Sequence, residues 1–287
     1  MRTRLRAARN HPFTDPMRLL IAFLLSAGIA FAEDLYVTQA GAGAANGSNV
    51  ANAWSAANFN TAGNWGVGAG KITAGDTVYA SGTFTTVLQV QASGTNASTR
   101  ITITDTAALP ATIVSLDGVT YDYIAVIGLE ITQPGADTVP AIQVGGCDGW
   151  LIQRNYIHDT NRGGINPRSG ASTSINSNNI IRHNTFEDIS LPSGGTGSSP
   201  VITFSGDSNL IEYNSITNGL DRVRSFGLKN VVRNNFFGAT DSIDYPNTSP
   251  YPHHTDDYQP WDSATFDLNQ TMYERNWSQD NADSVGG

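Results

Sequence analysis

The stretch LIQRNYIHDT at residues 151–160 recurs as IIRHNTFEDI at 180–189, LIEYNSITNG at 210–219 and VVRNNFFGAT at 231–240. A weaker copy, MYERNWSQDN, occupies residues 272–281. Each copy opens on two residues that are usually aliphatic, continues with two mostly polar residues and an asparagine, and usually has a hydrophobic residue two places later. Such alternation is typical of β-strands, because neighbouring side chains of a strand point to opposite faces. The copies therefore predict a β-rich repeat protein.

The asparagine at the fifth place of each copy indicates how the copies are arranged. These residues are Asn155, Asn184, Asn214, Asn235 and Asn276, separated by 29, 30, 21 and 41 residues. An earlier copy, AVIGLEITQ from Ala125, has Leu129 at this place. Asparagine is a poor strand former, so its return needs a cause. In a solenoid, equivalent residues of stacked coils lie about 4.8 Å apart and side-chain amides can hydrogen-bond from coil to coil. We therefore predict a solenoid with an asparagine ladder.

On these repeats the sequence resembles the right-handed parallel β-helix proteins of the pectate-lyase-like superfamily, over about residues 34–284. The resemblance implies an all-β, right-handed parallel β-helix solenoid with a short N-terminal capping helix, expected around Trp54–Asn60. The chain finishes at NADSVGG with no cap in the sequence. A solenoid needs a cap over its last hydrophobic layer. Either the complete protein continues beyond Gly287, which we favour, or association closes the last coil.

Residues 1–32 are predicted to be an N-terminal extension and signal peptide, with Met17 as the expected true start. From there, MRLLIAFLLSAGIAFA has a basic beginning, an apolar core too short to span a bilayer, and small residues before an expected cleavage after Ala32. Residues 33–287 would then form the β-helix domain. We expect the protein to be secreted or held at the cell surface.

The charge of the mature chain limits its partners. Without residues 1–32 it has 24 acidic and 11 basic groups, a net charge of −13. Such a surface repels nucleic acid and anionic lipid, so neither is an expected partner. No later segment is apolar for long enough to span a membrane, and the single cysteine, Cys147, excludes an intrachain disulfide. We expect a monomer.

A second strand before each asparagine strand predicts where a ligand binds. These strands are AIQV from Ala141, GINP from Gly164, PVITF from Pro200, RVRSF from Arg222 and DYQPW from Asp257. If Ile142, Ile165, Val223 and Tyr258 point inward, then Gln143, Asn166, Arg224 and Gln259 point outward as one exposed column. In the third coil, either Val201 or Ile202 faces the core. We call this outward column the ridge. Gln143, Asn166 and Gln259 are candidate substrate contacts.

The segment YPHHTDDYQPW at residues 251–261 falls at the loop leading into the ridge. Its pattern His-x-Asp-x-x-Gln, at His254, Asp256 and Gln259, resembles a motif frequent in β-helix proteins. Trp261 is a candidate sugar platform, although aromatic residues of such proteins also pack in or over the core. The resemblance implies a polysaccharide substrate or glycan ligand, and fold analogy alone does not establish activity.

A lyase is one chemistry that these residues allow. A base removes the proton beside a uronate carboxylate, and cations neutralise the developing charge. His254 is the candidate base, and Arg222 or Arg224 is the candidate grip on the carboxylate. Asp256 and Asp257 are candidate ligands of Ca²⁺, which prefers oxygen.

A glycoside hydrolase is the other chemistry, with Asp257 and either Asp256 or Asp221 as acid and base. The Gly-His-Gly and Arg-Ile-Lys segments of polygalacturonase-type hydrolases are missing from the sequence, as is the arginine-rich signature of pectate lyases. The alternative to an enzyme is a non-catalytic glycan-binding surface or adhesive solenoid. We interpret His158 and His183, beside the asparagine strands, as outward polar positions.

Overall fold

Short parallel strands recur along the described chain from Asp34 to Ser278. The computed structural model describes residues 32–133, 139–160, 162–167, 176–189, 200–219, 221–239, 257–260 and 271–279. Within these residues, strands β1 to β24 follow one another with one short α-helix and two 3₁₀ turns, Val50–Asn52 and Ala62–Asn64. All pairings between these strands are parallel, as in β11 with β14 or β16 with β19. The strands form three faces.

Face 1 consists of β1 (Asp34–Thr38), β3 (Thr77–Thr83), β5 (Ile101–Thr104), β8 (Ile124–Ile127), β11 (Leu151–Gln153), β14 (Ile180–Arg182), β17 (Leu210–Glu212), β20 (Val231–Arg233) and β23 (Met272–Glu274), with β2 (Trp54–Ser55) paired to β1. Face 2 consists of β6 (Ala111–Ile113), β9 (Glu130–Thr132), β12 (Tyr156–Thr160), β15 (Thr185–Ile189), β18 (Ser215–Gly219), β21 (Phe236–Phe237) and β24 (Trp277–Ser278). Face 3 consists of β4 (Leu88–Gln89), β7 (Leu116–Asp117), β10 (Ile142–Val144), β13 (Ile165–Pro167), β16 (Ile202–Ser205), β19 (Val223–Phe226) and β22 (Tyr258–Pro260). Faces 1 and 2 join through β3 into a 17-stranded sheet, and face 3 is a separate seven-stranded sheet.

The core is a stack of apolar layers, one from each coil. Every second residue of a strand points inward, and these positions hold mostly β-branched or aromatic side chains, which suit a pleated surface. The inward residues of four consecutive coils are at most 1% exposed: Ile152, Ile181, Ile211 and Val232 on face 1, Ile157, Phe186, Ile216 and Phe237 on face 2, and Ile142, Ile165, Ile202 and Val223 on face 3. Stacking of the coils thus buries one continuous core, and the predicted all-β solenoid is confirmed.

The asparagines form the predicted ladder. The Nδ2 atoms of Asn155, Asn184, Asn214 and Asn235 each donate to the Oδ1 atom of the next asparagine at 3.0 Å, and the last acceptor is Asn276. Each of these Oδ1 atoms also accepts the backbone N–H of the previous rung at 3.0 Å. The ladder stabilises the turn between faces 1 and 2, where the residue before each rung has a left-handed backbone, as in Arg154 with φ 58°. In the coil before, Gly128 takes this place with φ 77°, a conformation that favours glycine.

A second asparagine ladder, which we did not predict, precedes face 1. Asn179 donates to the Oδ1 atom of Asn209 at 3.0 Å, and Asn209 donates to that of Asn230 at 3.1 Å. The backbone N–H of Trp150 takes the place of a further rung and donates to Asn179 at 2.8 Å. The signal in the sequence is a further asparagine, which in three of the copies stands five residues before the asparagine of the first ladder.

The predicted capping helix is present as α1, Ala56–Phe59. Ser55 begins it by accepting the N–H of Asn58 at 3.1 Å. Phe59 is fully buried, with Trp65 packed edge-on at 4.9 Å between ring centroids. Asn60 fastens the end of α1 to face 3, because its side chain donates to Val87 O and accepts from Gln89 N, both at 2.8 Å. The helix therefore covers the start of the core.

The two ends of the sequence carry predictions that stay open. Residues 1–31, with the predicted signal peptide, lie outside the described residues, and so do residues 280–287, where we predicted no cap. On the last described coil, the inward Tyr273 stacks on Tyr258 with 5.0 Å between ring centroids and is 42% exposed. Its counterpart one coil earlier, Val232, is fully buried.

Candidate functional site

The ridge is in the predicted register along face 3. Gln143 pairs with Asn166, Thr203 with Arg224, and Arg224 with Gln259. Asn166 and Thr203 are linked by the pairing of Ile165 with Ile202, so Ile202 occupies the predicted inward position of the third coil. Gln89 and Asp117 extend the same column toward the N-terminus.

The exposure of the ridge was predicted wrongly. Gln143 is only 2% exposed, Asn166 6% and Thr203 8%, although all three lie on the opposite side of the strands from the core. Asn166 donates from Nδ2 to Pro200 O at 2.7 Å, which ties its side chain to neighbouring backbone. Alternation fixes the direction in which a side chain points but not what covers it. The roles of Gln143 and Asn166 as substrate contacts stay predictions.

Arg224 is partly exposed on the ridge, unlike Gln143, Asn166 and Thr203. Its side chain is 22% exposed, and its Nη2 atom donates to Asp221 Oδ2 at 2.5 Å. The side chain of Asp221 is 3% exposed. Next to Arg224 in the column, the hydroxyl of Thr203 has no hydrogen-bond partner among the described residues. A ligand at Arg224 would therefore meet a cation beside a buried hydroxyl group.

Arg222 and Asp257 form a second ion pair, which links the coil of Arg224 to the next coil. Arg222 donates from Nη1 to Asp257 Oδ1 and from Nη2 to Gly238 O, the latter at 2.5 Å. The side chains of Arg222 and Asp257 are 5% and 27% exposed. Ser278 donates its hydroxyl to the other carboxylate oxygen of Asp257. The predicted candidates Arg222, Arg224, Asp221 and Asp257 are thus brought together on adjacent coils, in two ion pairs that we call the charged cluster.

Two tyrosines close the inner side of this cluster. Burial, followed by the charge of Asp257, raises the pKa of Tyr273 to about 12. Burial also raises the pKa of Tyr258, whose hydroxyl lies 2.9 Å from Ser225 Oγ. Both phenol groups stay neutral at physiological pH, so they add no charge beside Asp257.

Three predicted residues cannot be placed, because His254, Asp256 and Trp261 lie outside the described residues. The base, one metal ligand and the sugar platform therefore stay predictions. Of Gln259, the structure gives the strand position opposite Arg224.

The predicted Ca²⁺ site can be examined at Asp257 alone. Calcium takes six to eight oxygen ligands. Both carboxylate oxygens of Asp257 already accept hydrogen bonds, from Arg222 and Ser278. Within the described ranges, no group of three His, Cys, Asp or Glu side chains is placed to hold a metal. The described donors do not fit the ion, so no chemical step is assigned to it, and Ca²⁺ binding with Asp256 stays a prediction.

An acid–histidine cluster lies outside the ridge, on the outer side of face 2. His158 contacts Asp159 Oδ2 through Nδ1 at 2.8 Å and Glu130 Oε1 through Nε2 at 3.1 Å. Tyr156 stacks on His158 with 4.2 Å between ring centroids and donates to Glu187 Oε2 at 2.6 Å. That hydrogen bond, with burial as a second cause, raises the pKa of Tyr156 to about 12. His158 is outward, as predicted. Asp159 is its neighbour in sequence, whereas Glu130 is brought to it by the pairing of β12 with β9.

Comparisons with known proteins agree with this architecture. A family model described as right handed beta helix region matches residues 114–244. The chain is a right-handed parallel β-helix protein. The solved structure of pectate lyase Pel9A is similar to this β-helix, with a TM-score of 0.56 at 16% identity. The similarity covers 80% of this chain and 59% of the pectate lyase, so the β-helix spans less than two thirds of that protein. At this identity the similarity concerns the fold alone.

Two further solved structures are similar over much of the β-helix, each with a TM-score of 0.45. An alginate lyase from Paenibacillus sp. str. FPU-7 matches at 16% identity over 85% of this chain and 98% of its own. The GH136 lacto-N-biosidase from Eubacterium ramulus matches at 10% identity over 91% of this chain and 58% of its own. No curated protein matches the β-helix by sequence. In the described part of the chain, no helix is long and apolar enough to cross a membrane.

Proposed function

We propose that this β-helix binds a polysaccharide at the charged cluster and cleaves it, with β-elimination at a uronate residue as the reaction that the described residues support best. One observation carries the proposal. Arg224 is partly exposed and held by Asp221 at 2.5 Å, directly beside the Arg222–Asp257 pair. A partly exposed guanidinium group on a strongly acidic chain is suited to bind a carboxylate, which arginine can grip with two parallel hydrogen bonds.

In β-elimination, a base takes the proton from the carbon next to the uronate carboxylate. The electrons of that C–H bond form a carbon–carbon double bond, the glycosidic C–O bond at the β position breaks, and the leaving oxygen receives a proton. Negative charge accumulates on the carboxylate during proton removal, and nearby cations stabilise it. Arg224 would make this contact, because its side chain is 22% exposed against 5% for Arg222. Arg222 would instead hold Asp257, directly before β22, in place.

Hydrolysis with Asp257 and Asp221 as the acid–base pair has less support. Each of these carboxylates accepts a hydrogen bond from an arginine, so it must leave that pair before it can act on a glycosidic oxygen. The non-catalytic glycan binder remains the rival proposal from another class.

A polysaccharide panel tests the proposal. The full chain is incubated with polyuronates and neutral polysaccharides, and both the absorbance of unsaturated uronates and the release of reducing ends are followed. We expect unsaturated product from a polyuronate, and at least a 100-fold loss in Arg224→Ala, since such charge-stabilising contacts contribute on the order of 10²–10³-fold to rate. Lys71→Ala removes a cation outside the charged cluster and serves as the control. Reducing ends without unsaturated product would favour hydrolysis, and binding without either product would favour the non-catalytic rival.

Export of the protein is part of the proposal, since a polysaccharide of this class lies outside the cell. It rests on the signal-like segment that begins at Met17. Mass spectrometry of protein from the culture medium should find a mature N-terminus at Glu33, and retention of an uncleaved chain in the cells would contradict it.

A further inference from the structure

Two neighbouring columns of side chains run along the outer edge between faces 1 and 2. The first is the outward column of face 1, Gln153, Arg182, Glu212, Arg233 and Glu274, whose members pair in register from coil to coil. The second consists of the left-handed residues that follow them, Arg154, His183, Tyr213, Asn234 and Arg275. Together they form a strip across five coils, about 19 Å long at about 4.8 Å per coil. We call it the arginine corner.

The arginine corner has a positive surplus in a negative chain. It contains four arginines and two glutamates, whereas the whole chain carries a formal net charge of −9. Arg233 donates to Glu212 at 3.0 and 2.9 Å, and Arg275 donates to Glu274 at 2.7 Å, so these two charges are balanced.

The surplus positive charge lies on the other two arginines, Arg154 and Arg182, which are on adjacent coils. Arg182 donates from Nε to the neutral Gln153 at 2.7 Å. The side chain of Arg154 is exposed and makes no hydrogen bond or ion pair within the described residues. Arg100 is a third cation, near Arg182. Burial, followed by the charge of Arg182, lowers the pKa of Arg100. Arg100 itself donates to the backbone carbonyls of Gly149 and Ala97, at 2.8 and 2.7 Å.

An exposed aromatic pair lies beside these cations. Tyr213 is 50% exposed and stacks on His183 with 5.2 Å between ring centroids and 5° between the ring planes. A supported tyrosine offers a rigid apolar edge and a hydroxyl that donates and accepts hydrogen bonds. A sugar presents the complementary surface, with apolar C–H groups and hydroxyls side by side.

We propose that the arginine corner is a second binding site, separate from the ridge, for a stretch of linear acidic polysaccharide. The ligand class rests on the proposed function, whereas the site rests on the corner itself. Arg154 and Arg182 bind carboxylates of the polymer, and Tyr213 contacts a sugar ring between or beside them. The overall negative charge does not prevent this, because charges beyond about 8 Å are screened at physiological salt. Such a site holds the polymer on the β-helix while the ridge acts on another part of it.

Binding measurements on the full chain test the site independently of cleavage. Isothermal titration calorimetry uses polygalacturonate and alginate oligomers as probes, and polyphosphate as an anionic polymer without sugar rings. The double variant Arg154→Gln/Arg182→Gln should weaken polyuronate binding at least tenfold and reduce its salt dependence. The matched control Lys71→Gln removes a cation outside the corner and should change binding less than twofold. Circular dichroism confirms that each variant is folded.

Two further variants separate this proposal from its neighbours. Arg224→Ala should lose cleavage but keep the binding that depends on Arg154 and Arg182, and that binding should persist even if the β-helix has no cleavage activity at all. Tyr213→Ala should weaken polyuronate binding while leaving polyphosphate binding unchanged. Unchanged polyuronate affinity in Arg154→Gln/Arg182→Gln would overturn the site. Equal losses for both polymers in Tyr213→Ala would overturn its preference for sugar.

Discussion

The side-chain amide of Asn184 donates to Asn214 Oδ1 at 3.0 Å, although the two residues are 30 positions apart in sequence. Asn184 also accepts the N–H and the Nδ2 of Asn155, both at 3.0 Å, and donates to Ile152 O at 2.9 Å. It is 1% exposed, so water cannot replace these partners. One side chain thus satisfies polar groups of three successive coils.

We expect Asn184→Ala to lower the free energy of unfolding by about 2–4 kcal/mol, since each buried polar group left without a partner costs about 1–3 kcal/mol. Thr185→Ala changes the exposed neighbour and should cost about 0.5 kcal/mol or less. Urea denaturation followed by circular dichroism measures both. Equal stability of the two variants would contradict a structural role for the ladder.

The Arg222–Asp257 pair should matter more for stability than a surface pair. Asp257→Asn removes a carboxylate partner from a guanidinium whose side chain is 5% exposed, and we expect a loss of about 2 kcal/mol or more. Glu274→Gln breaks the more exposed pair with Arg275 and should cost about 0.5 kcal/mol at most. Thermal unfolding of both variants measures the two losses of stability. A smaller loss for Asp257→Asn than for Glu274→Gln would contradict a stabilising role for the Arg222–Asp257 pair.

Calcium binding at Asp256 and Asp257 has a direct test that does not involve activity. Calorimetric titration of EDTA-treated protein with Ca²⁺ should give a binding signal if the predicted site exists, and Asp257→Asn should abolish it. Because Asp257 is paired with Arg222, Ca²⁺ binding also requires that pair to open, which lowers the affinity for the ion. A titration without heat in the wild type would remove calcium from the proposed chemistry.

Tyr156 predicts a stability change at high pH. Its pKa is raised from 10.0 to about 12, first by the hydrogen bond to Glu187 and then by burial. A group whose pKa is raised by folding contributes stability below its unfolded pKa, and this contribution is lost as pH rises through the folded value. Wild-type protein should therefore lose more stability between pH 10 and 12 than Tyr156→Phe. In Glu187→Gln, tyrosinate absorbance should appear at lower pH than in the wild type. An unchanged tyrosinate titration would contradict the role of Glu187.

Much of the scaffold was predictable because each coil of a solenoid repeats the same pattern of apolar and polar residues. The alternation around Asn155 and its equivalents fixed which residues point inward, and it predicted the pairing of Arg224 with Gln259. The second ladder was less predictable, because Trp150 stands where the pattern requires an asparagine.

The candidate site was less predictable, for a different reason. Periodicity gives a side chain its direction, whereas burial depends on segments that the repeat does not govern, so the coverage of Gln143 and Asn166 could not be foreseen. The partner of Arg222, Asp257, lies 35 positions away on the next coil, whereas Arg224 pairs with Asp221 only three positions away. The positive surplus of the arginine corner appears only when residues 29 positions apart, such as Gln153 and Arg182, are brought side by side.

Ladder bonds stay at 3.0 Å whether 21 residues separate the rungs, as between Asn214 and Asn235, or 41, as between Asn235 and Asn276. The number of residues between two rungs is therefore uncoupled from the fit of the core layers. A segment between two rungs can be exchanged for one of another length, which alters what the protein recognises without repacking its interior.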